Sequence, residues 1–93
     1  MGTTYDPEKR RKTLAERGLD FDDAHYVIDG FNITDVDDRF EYGEERLISV
    51  GPLHDSLVVV VWTERGDDYH IISMREANGK EREYYRKEMD RPG

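Results

Sequence analysis

The chain has 93 residues, no cysteine, and a net charge of −8 at pH 7, with 39% of its residues charged. The absence of cysteine excludes disulfide frameworks, iron–sulfur sites, Cys-ligated zinc and thiol catalysis. The longest apolar run, Leu57 to Trp62, is six residues, against the ~20 needed for a membrane-spanning helix. Acidity also argues against a general nucleic-acid binder, because phosphate contacts need local positive charge.

Leu, Ile, Val and Phe number 20 and are clustered along the chain. That pattern predicts one folded domain over residues 1–93 with a thin core. The N-terminus, Met1-Gly2-Thr3-Thr4-Tyr5-Asp6, has no apolar signal-peptide core, so a cytoplasmic location is expected.

Asp6-Pro7 predicts a helix start. Asp6 can cap free N–H groups, and Pro7 suits the first helical position. Gly18 is a natural stop, giving a helix over about 7–17. Asp20 can cap a second helix over about 21–29, with Phe21, Ala24, Val27 and Ile28 as its apolar face and Gly30 at its end. The chain then turns to β character. Phe31 to Val36 alternates as a half-buried strand does. Arg46 to Val50 reads as the next strand, with Gly51-Pro52 through Ser56 as its turn. Leu57 to Thr63 is a β-branched run suited to a central strand covered on both faces. Arg65-Gly66-Asp67 is a tight turn, and Tyr69 to Arg75 the last strand. Asn78 caps a closing helix to about Met89, and Arg91-Pro92-Gly93 reads as a frayed end. Short turns imply antiparallel neighbours. The expected class is α+β: two N-terminal helices, an antiparallel sheet of about four strands, and a C-terminal helix.

The charge is unevenly distributed. Residues 1–18 carry a net +2, residues 19–45 carry −9, residues 46–75 carry −1, and residues 76–93 are neutral. The acidity thus belongs to one middle segment, and the basic run Lys9 to Lys12 lies outside it. Such segregation allows a locally positive face on an acidic protein. It is equally what a solvated surface would show.

His25, His54 and His70 have no metal-site spacing, and Asp35-x-Asp37 lacks the Gly and closing Glu of a calcium loop. No metal and no cofactor are expected. The arginines are more informative. Arg46 opens one strand, Arg65 ends the central strand, and Arg75 ends the last. Strands paired as neighbours would bring them to a common edge or face. Guanidinium groups so placed suit a phosphate, to which they make paired, charge-assisted hydrogen bonds. The competing reading pairs each arginine with a local acid such as Glu44, Glu45, Glu64 or Asp68.

Several residues carry a family resemblance. Asp6-Pro7-x-Lys9 is followed by Gly18-x-x-Phe21-x-x-Ala24. Then come Glu44-x-Arg46, Gly51, Thr63-x-Arg65, Ile71-Ile72-Ser73-x-Arg75, Ala77 and Glu81-Arg82-x-x-Tyr85. In order and spacing, from about Tyr5 to Tyr85, this pattern resembles the BrnT toxins. The most specific element is Ile-Ile-Ser-x-Arg followed by Ala and Glu-Arg. The resemblance implies a single BrnT-like domain with a RelE-like fold, and a ribonuclease toxin of a type II toxin–antitoxin pair. Such a toxin cleaves RNA without a metal and inhibits translation. Its partner is a BrnA-like antitoxin with a ribbon-helix-helix part, which contacts DNA on behalf of the complex. No membrane partner is implied.

Carried onto this sequence, the family positions make Arg46, Arg65 and Arg75 candidates for phosphate stabilisation. Glu44 becomes a base or an orienter of Arg46. Lys9, Lys12 and Lys80 would attract RNA. Tyr42, Trp62 and Tyr85 would stack on bases, although Trp62 suits the core better. Three positions depart from the family pattern. Glu16-Arg17-Gly18 stands where Lys-His-Gly is common, Thr13 where Asn is common, and His70 where an Arg usually precedes Ile-Ile-Ser. His70 supplies a group titrating near pH 6.5 in place of a fixed charge. The alternatives are a catalytically weakened member acting as an antitoxin-binding module, and a structural or metabolic protein whose acidic segment is a solvated face. Affinity for naked RNA is expected to be weak and strongly salt-dependent.

Overall fold

A computed structural model describes residues 2–39 and 41–91. Pro92 and Gly93 of the expected frayed end lie outside the described residues.

The chain forms strands β1 (Thr3–Tyr5), β2 (Ile33–Asp37), β3 (Arg46–Leu53), β4 (Ser56–Arg65) and β5 (Asp68–Glu76), and helices α1 (Pro7–Arg17), α2 (Ala24–Ile28) and α3 (Gly79–Met89). The strands make one five-stranded sheet in the order β1-β5-β4-β3-β2. β1 runs parallel to β5, and every other pair is antiparallel. The α+β class is as expected, but the sheet is mixed and has one strand more than the sequence suggested. β1 escaped notice because three residues, Thr-Thr-Tyr, are too few to show alternation.

The helix limits follow local chemistry. The Asp6 carboxylate accepts from the Glu8 N–H at 2.9 Å, and Gly18 takes the left-handed conformation at φ 69°. Asn78 and Glu81 cap α3 reciprocally, each side chain accepting from the other's backbone N–H at 2.9 Å. The second helix is shorter than expected: Phe21–Asp23 is a 3₁₀ turn that leads into the five residues of α2.

β3 runs through Gly51 and Pro52 to Leu53, where the sequence had suggested a turn. Two reasons explain the difference. A Cβ on Gly51 would stand 3.1 Å from Asn32 Cβ and 3.3 Å from Val27 Cγ1, so this glycine admits a close crossing of the 31–32 backbone. Pro52 lies beyond the end of β2, so its missing N–H breaks no pairing on that side. The turn is His54-Asp55, with His54 at φ 54°.

The main core lies on one face of the sheet. Phe21, Ala24 and Val27 pack there against Val58, Val60, Trp62, Ile71 and Met74. The Trp62 indole donates to Ser49 Oγ at 2.9 Å, which fixes this residue as core. A smaller cluster of Val50, Val59 and Ala77, flanked by Tyr85, lies on the other face. Neither α1 nor α3 has a fully buried residue. α1 is instead held at the β5 edge by polar contacts. Lys9 Nζ reaches Ile72 O at 3.4 Å and Arg17 donates to Met74 O at 2.9 Å, while Arg10 ties α1 to the cap of the 3₁₀ turn by gripping Asp20 at 2.8 and 2.9 Å.

Candidate functional site

Ile72 is an extra residue in β5. Val61 pairs with Ser73 and Trp62 with Ile71, leaving Ile72 without a partner. Such bulges shift side-chain phase by one. Strict alternation would put His70 and Arg75 on opposite faces. The bulge puts them on the same face, because they pair with Thr63 and Val59, four residues apart on β4. The Ile71-Ile72-Ser73 motif is thus the device that aligns the site.

On that face Asp37 stands opposite Arg46, and His70 opposite Thr63 on one side and Thr4 on the other. Arg46 and Thr63 flank the Leu47–Trp62 pair. Arg65 follows two residues beyond Thr63, opposite Asp68. The pleat therefore collects Arg46, Arg65, His70 and Arg75 on one surface, the surface left open beyond α3.

The three arginines differ sharply in what holds them. Arg75 is gripped from α3 by both oxygens of Glu81 at 2.7 Å, which also raises the Arg75 pKa and lowers that of Glu81. Because Glu81 is also half of the α3 cap, Arg75 staples α3 to β5. Arg65 meets Glu44 at 3.5 Å. The Arg46 guanidinium carbon sits over the Tyr42 ring, 3.8 Å from its centroid. Its Nε is buried with no hydrogen-bond partner among the described residues. A buried orphan donor is costly, and it marks where an acceptor would be welcome.

His70 is held by Thr4, whose Oγ1 is 2.8 Å from Nδ1. Burial, then the Arg65 cation, pushes the imidazole pKa below its usual 6.5; Glu44 opposes and Lys9 adds to the depression. Both effects favour the neutral imidazole, with Nδ1 engaged by Thr4.

The segment after β2 folds against this face. Tyr42 covers Arg46 and Glu44 meets Arg65, while Asp38, Glu41 and Glu45 line a depression within the segment itself. Beside the face, α1 and β5 enclose a groove lined by Lys9, Lys12, Thr13, Arg17, Ile72 and Ser73. Lys80 is exposed on α3. Tyr85 donates to Phe31 O at 2.6 Å and packs on the small cluster, so it braces the α3 side. Of the residues singled out in the sequence, the structure brings together Arg46, Arg65, His70, Glu44, Tyr42 and Lys9. Lys12 lies in the adjoining groove. Thr4, Asp37, Arg39 and Thr63 were missed. Thr4 sits in the unrecognised strand, and Asp37-x-Arg39 has no spacing that signals contact.

The family described as "Ribonuclease toxin, BrnT, of type II toxin-antitoxin system" matches residues 5–81. The chain belongs to the BrnT toxin family. No curated protein matches it significantly. A type II toxin family implies an antitoxin partner. Two of the three departures from the BrnT pattern, Thr13 and Arg17, line the α1–β5 groove; the third, His70, stands on the arginine face. Arg17 spends its guanidinium on the open carbonyl of Met74 at the β5 edge. Among the described residues no three His, Asp or Glu side chains converge to hold a metal, and no helix is long and apolar enough to cross a membrane.

Proposed function

We propose that this chain is a RelE-like, metal-independent endoribonuclease that acts in the cytoplasm, inhibits translation by cutting RNA, and is neutralised by a BrnA-like antitoxin that carries the DNA contacts. The observation that carries the reading is Arg46, which pairs with no acid among the described residues and bears an orphaned Nε, on the same face as His70, whose pKa is pushed down. In intrastrand transfer, a ribose 2′-oxygen attacks the adjacent phosphorus, closing a 2′,3′-cyclic phosphate, and the 5′-oxygen leaves and takes up a proton from water to end as a 5′-OH. Arg46 would stabilise the charge gathering on the phosphoryl oxygens. His70 would take the 2′-OH proton through Nε2, with Nδ1 fixed by Thr4. Lys9, Arg65 and the groove lysine Lys12 would guide the backbone. Tyr42 is in this reading the platform for Arg46.

Purified protein should cut RNA in the presence of EDTA. Intact RNA at confirmed folding would sink the reading. A weakened, antitoxin-binding member is favoured by one set of contacts, the Glu81 grip on Arg75 and the Glu44 contact on Arg65. Antitoxin capture without cleavage would select it. Asp37, Glu44 and Glu81 among these cations also support weak, salt-sensitive binding to naked RNA.

The pH dependence follows from His70. Its neutral form is the base, and burial and Arg65 hold its pKa low. The acid limb of the cleavage profile should therefore have its midpoint below 6.5. Arg65→Ala removes a cation that opposes protonation, so the His70 pKa should rise and the limb move to higher pH. Imidazole NMR titration of both proteins checks the sign. An unchanged or lower value in the variant would contradict it.

A further inference from the structure

We propose that Arg39 is a positioning residue that draws Asp37 away from Arg46, leaving the Arg46 guanidinium without that internal carboxylate and so available to pair with a phosphodiester. The inference rests on the reading that this face binds RNA. Asp37 and Arg46 are direct partners across β2 and β3, so their side chains share a face. An acid and a base so placed pair by default. The Asp37 side chain is 1% exposed, so its charge must be matched by a partner. That partner is not Arg46. Arg39 takes both Asp37 oxygens, Nε at 2.8 Å and Nη2 at 2.9 Å, and the Tyr42 hydroxyl donates to Oδ2 at 3.2 Å. The Tyr42 ring then lies under the Arg46 guanidinium. Arg46 fits this arrangement: its Nε is buried and has no hydrogen-bond partner among the described residues.

The register also allows an alternative arrangement. Were Asp37 released, the carboxylate would meet Arg46 across the ladder, and a phosphodiester would have to displace an internal ion pair. Arg39 is 65% exposed, but its partner carboxylate is 1% exposed, so removing Arg39 leaves a buried charge that must find another cation. Arg39 thus sets which guanidinium the buried carboxylate occupies. Tyr42 works in series: its hydroxyl bonds Asp37 while its ring lies under Arg46.

The test uses the full chain and a labelled 2′-O-methyl oligoribonucleotide of mixed sequence, which binds but cannot be cut, with affinity read by anisotropy. Arg39→Ala should weaken binding by about tenfold. Asp37→Asn/Arg39→Ala should restore it, since no carboxylate remains to capture Arg46. In an Arg46→Ala background, Arg39→Ala should add no further loss. Arg39→Lys, which keeps the charge but not the two-pronged grip, should lose part of the affinity, and it carries the test if Arg39→Ala does not fold. Equal losses with and without Arg46, together with wild-type binding by Arg39→Lys, would reduce Arg39 to a surface charge and overturn the proposal. Wild-type binding by Arg46→Ala would instead overturn the assignment of the face to RNA, and this proposal with it.

Discussion

Arg46→Ala is expected to remove most RNA cleavage while leaving the fold intact. A donor aimed at charge that develops in the transition state is worth about 10²–10³ in rate. The stability terms nearly cancel. Removing the buried, unmatched Nε relieves a cost of about 1–3 kcal/mol. Losing the stack on Tyr42 forfeits about 0.5–1 kcal/mol, and the side-chain stem some packing besides. Arg75→Ala should behave in the opposite order. It breaks both bonds to Glu81, and with them the staple between α3 and β5. It should lower the melting temperature more than Arg46→Ala and slow cleavage less. Single-turnover cleavage in EDTA, beside thermal melts, separates the two. Cleavage by Arg46→Ala at the wild-type rate would contradict the assignment, and so would a larger rate loss from Arg75→Ala.

That ordering was not legible in the sequence. Spacing placed Arg46, Arg65 and Arg75 at strand ends and so suggested a cluster. It could not show that Glu81, six residues beyond Arg75, turns back from α3 to hold it. It could not show the bulge either, since Ile71-Ile72-Ser73 reads as ordinary strand. Without the bulge the parity of positions 70 and 75 gives the wrong face. The Asp37–Arg39 grip depends on a loop path that no periodicity records. Side chains that meet through irregular backbone leave no regular signal.

The elements were more legible where one local device fixes them. The Asp6 cap with Pro7 and Gly18 gave α1 its limits, and the Asn78 cap gave the start of α3. β4, with its run of valines, appeared as the buried central strand. The misreadings lie where tertiary contact overrides local preference. Gly51-Pro52 carries turn chemistry, yet the close approach of Val27 and Asn32 places Gly51 in β3. Thr3–Tyr5 becomes a strand only because β5 offers its edge. Charge followed the same division. The block count located the acids in residues 19–45, but not that Glu44 would reach Arg65 while Asp37 was drawn to Arg39.

Phe21→Ala should give the largest loss of stability. The ring is 1% exposed and meets Tyr5 edge-on at 5.8 Å. Truncating a buried Phe costs about 3–5 kcal/mol, against a total of about 5–14 kcal/mol for a domain of this size. At ~4–8 °C per kcal/mol, the melting temperature should fall by more than about 12 °C. The position explains the size of the effect. α2 has five residues, too short to hold itself, and the 3₁₀ turn that begins at Phe21 sets it on the sheet. Phe21 also lines the groove that holds Lys9, Lys12 and Arg17. Cleavage by the variant should therefore disappear with its melting transition and return on cooling. Phe31→Ala is the control, since that ring is 81% exposed and its loss should cost under about 0.5 kcal/mol. Calorimetry of both variants decides the matter. A fall of only a few degrees for Phe21→Ala would mean that polar contacts such as those of Lys9 on Ile72 O and Arg17 on Met74 O, rather than the buried ring, hold the helical layer to the sheet.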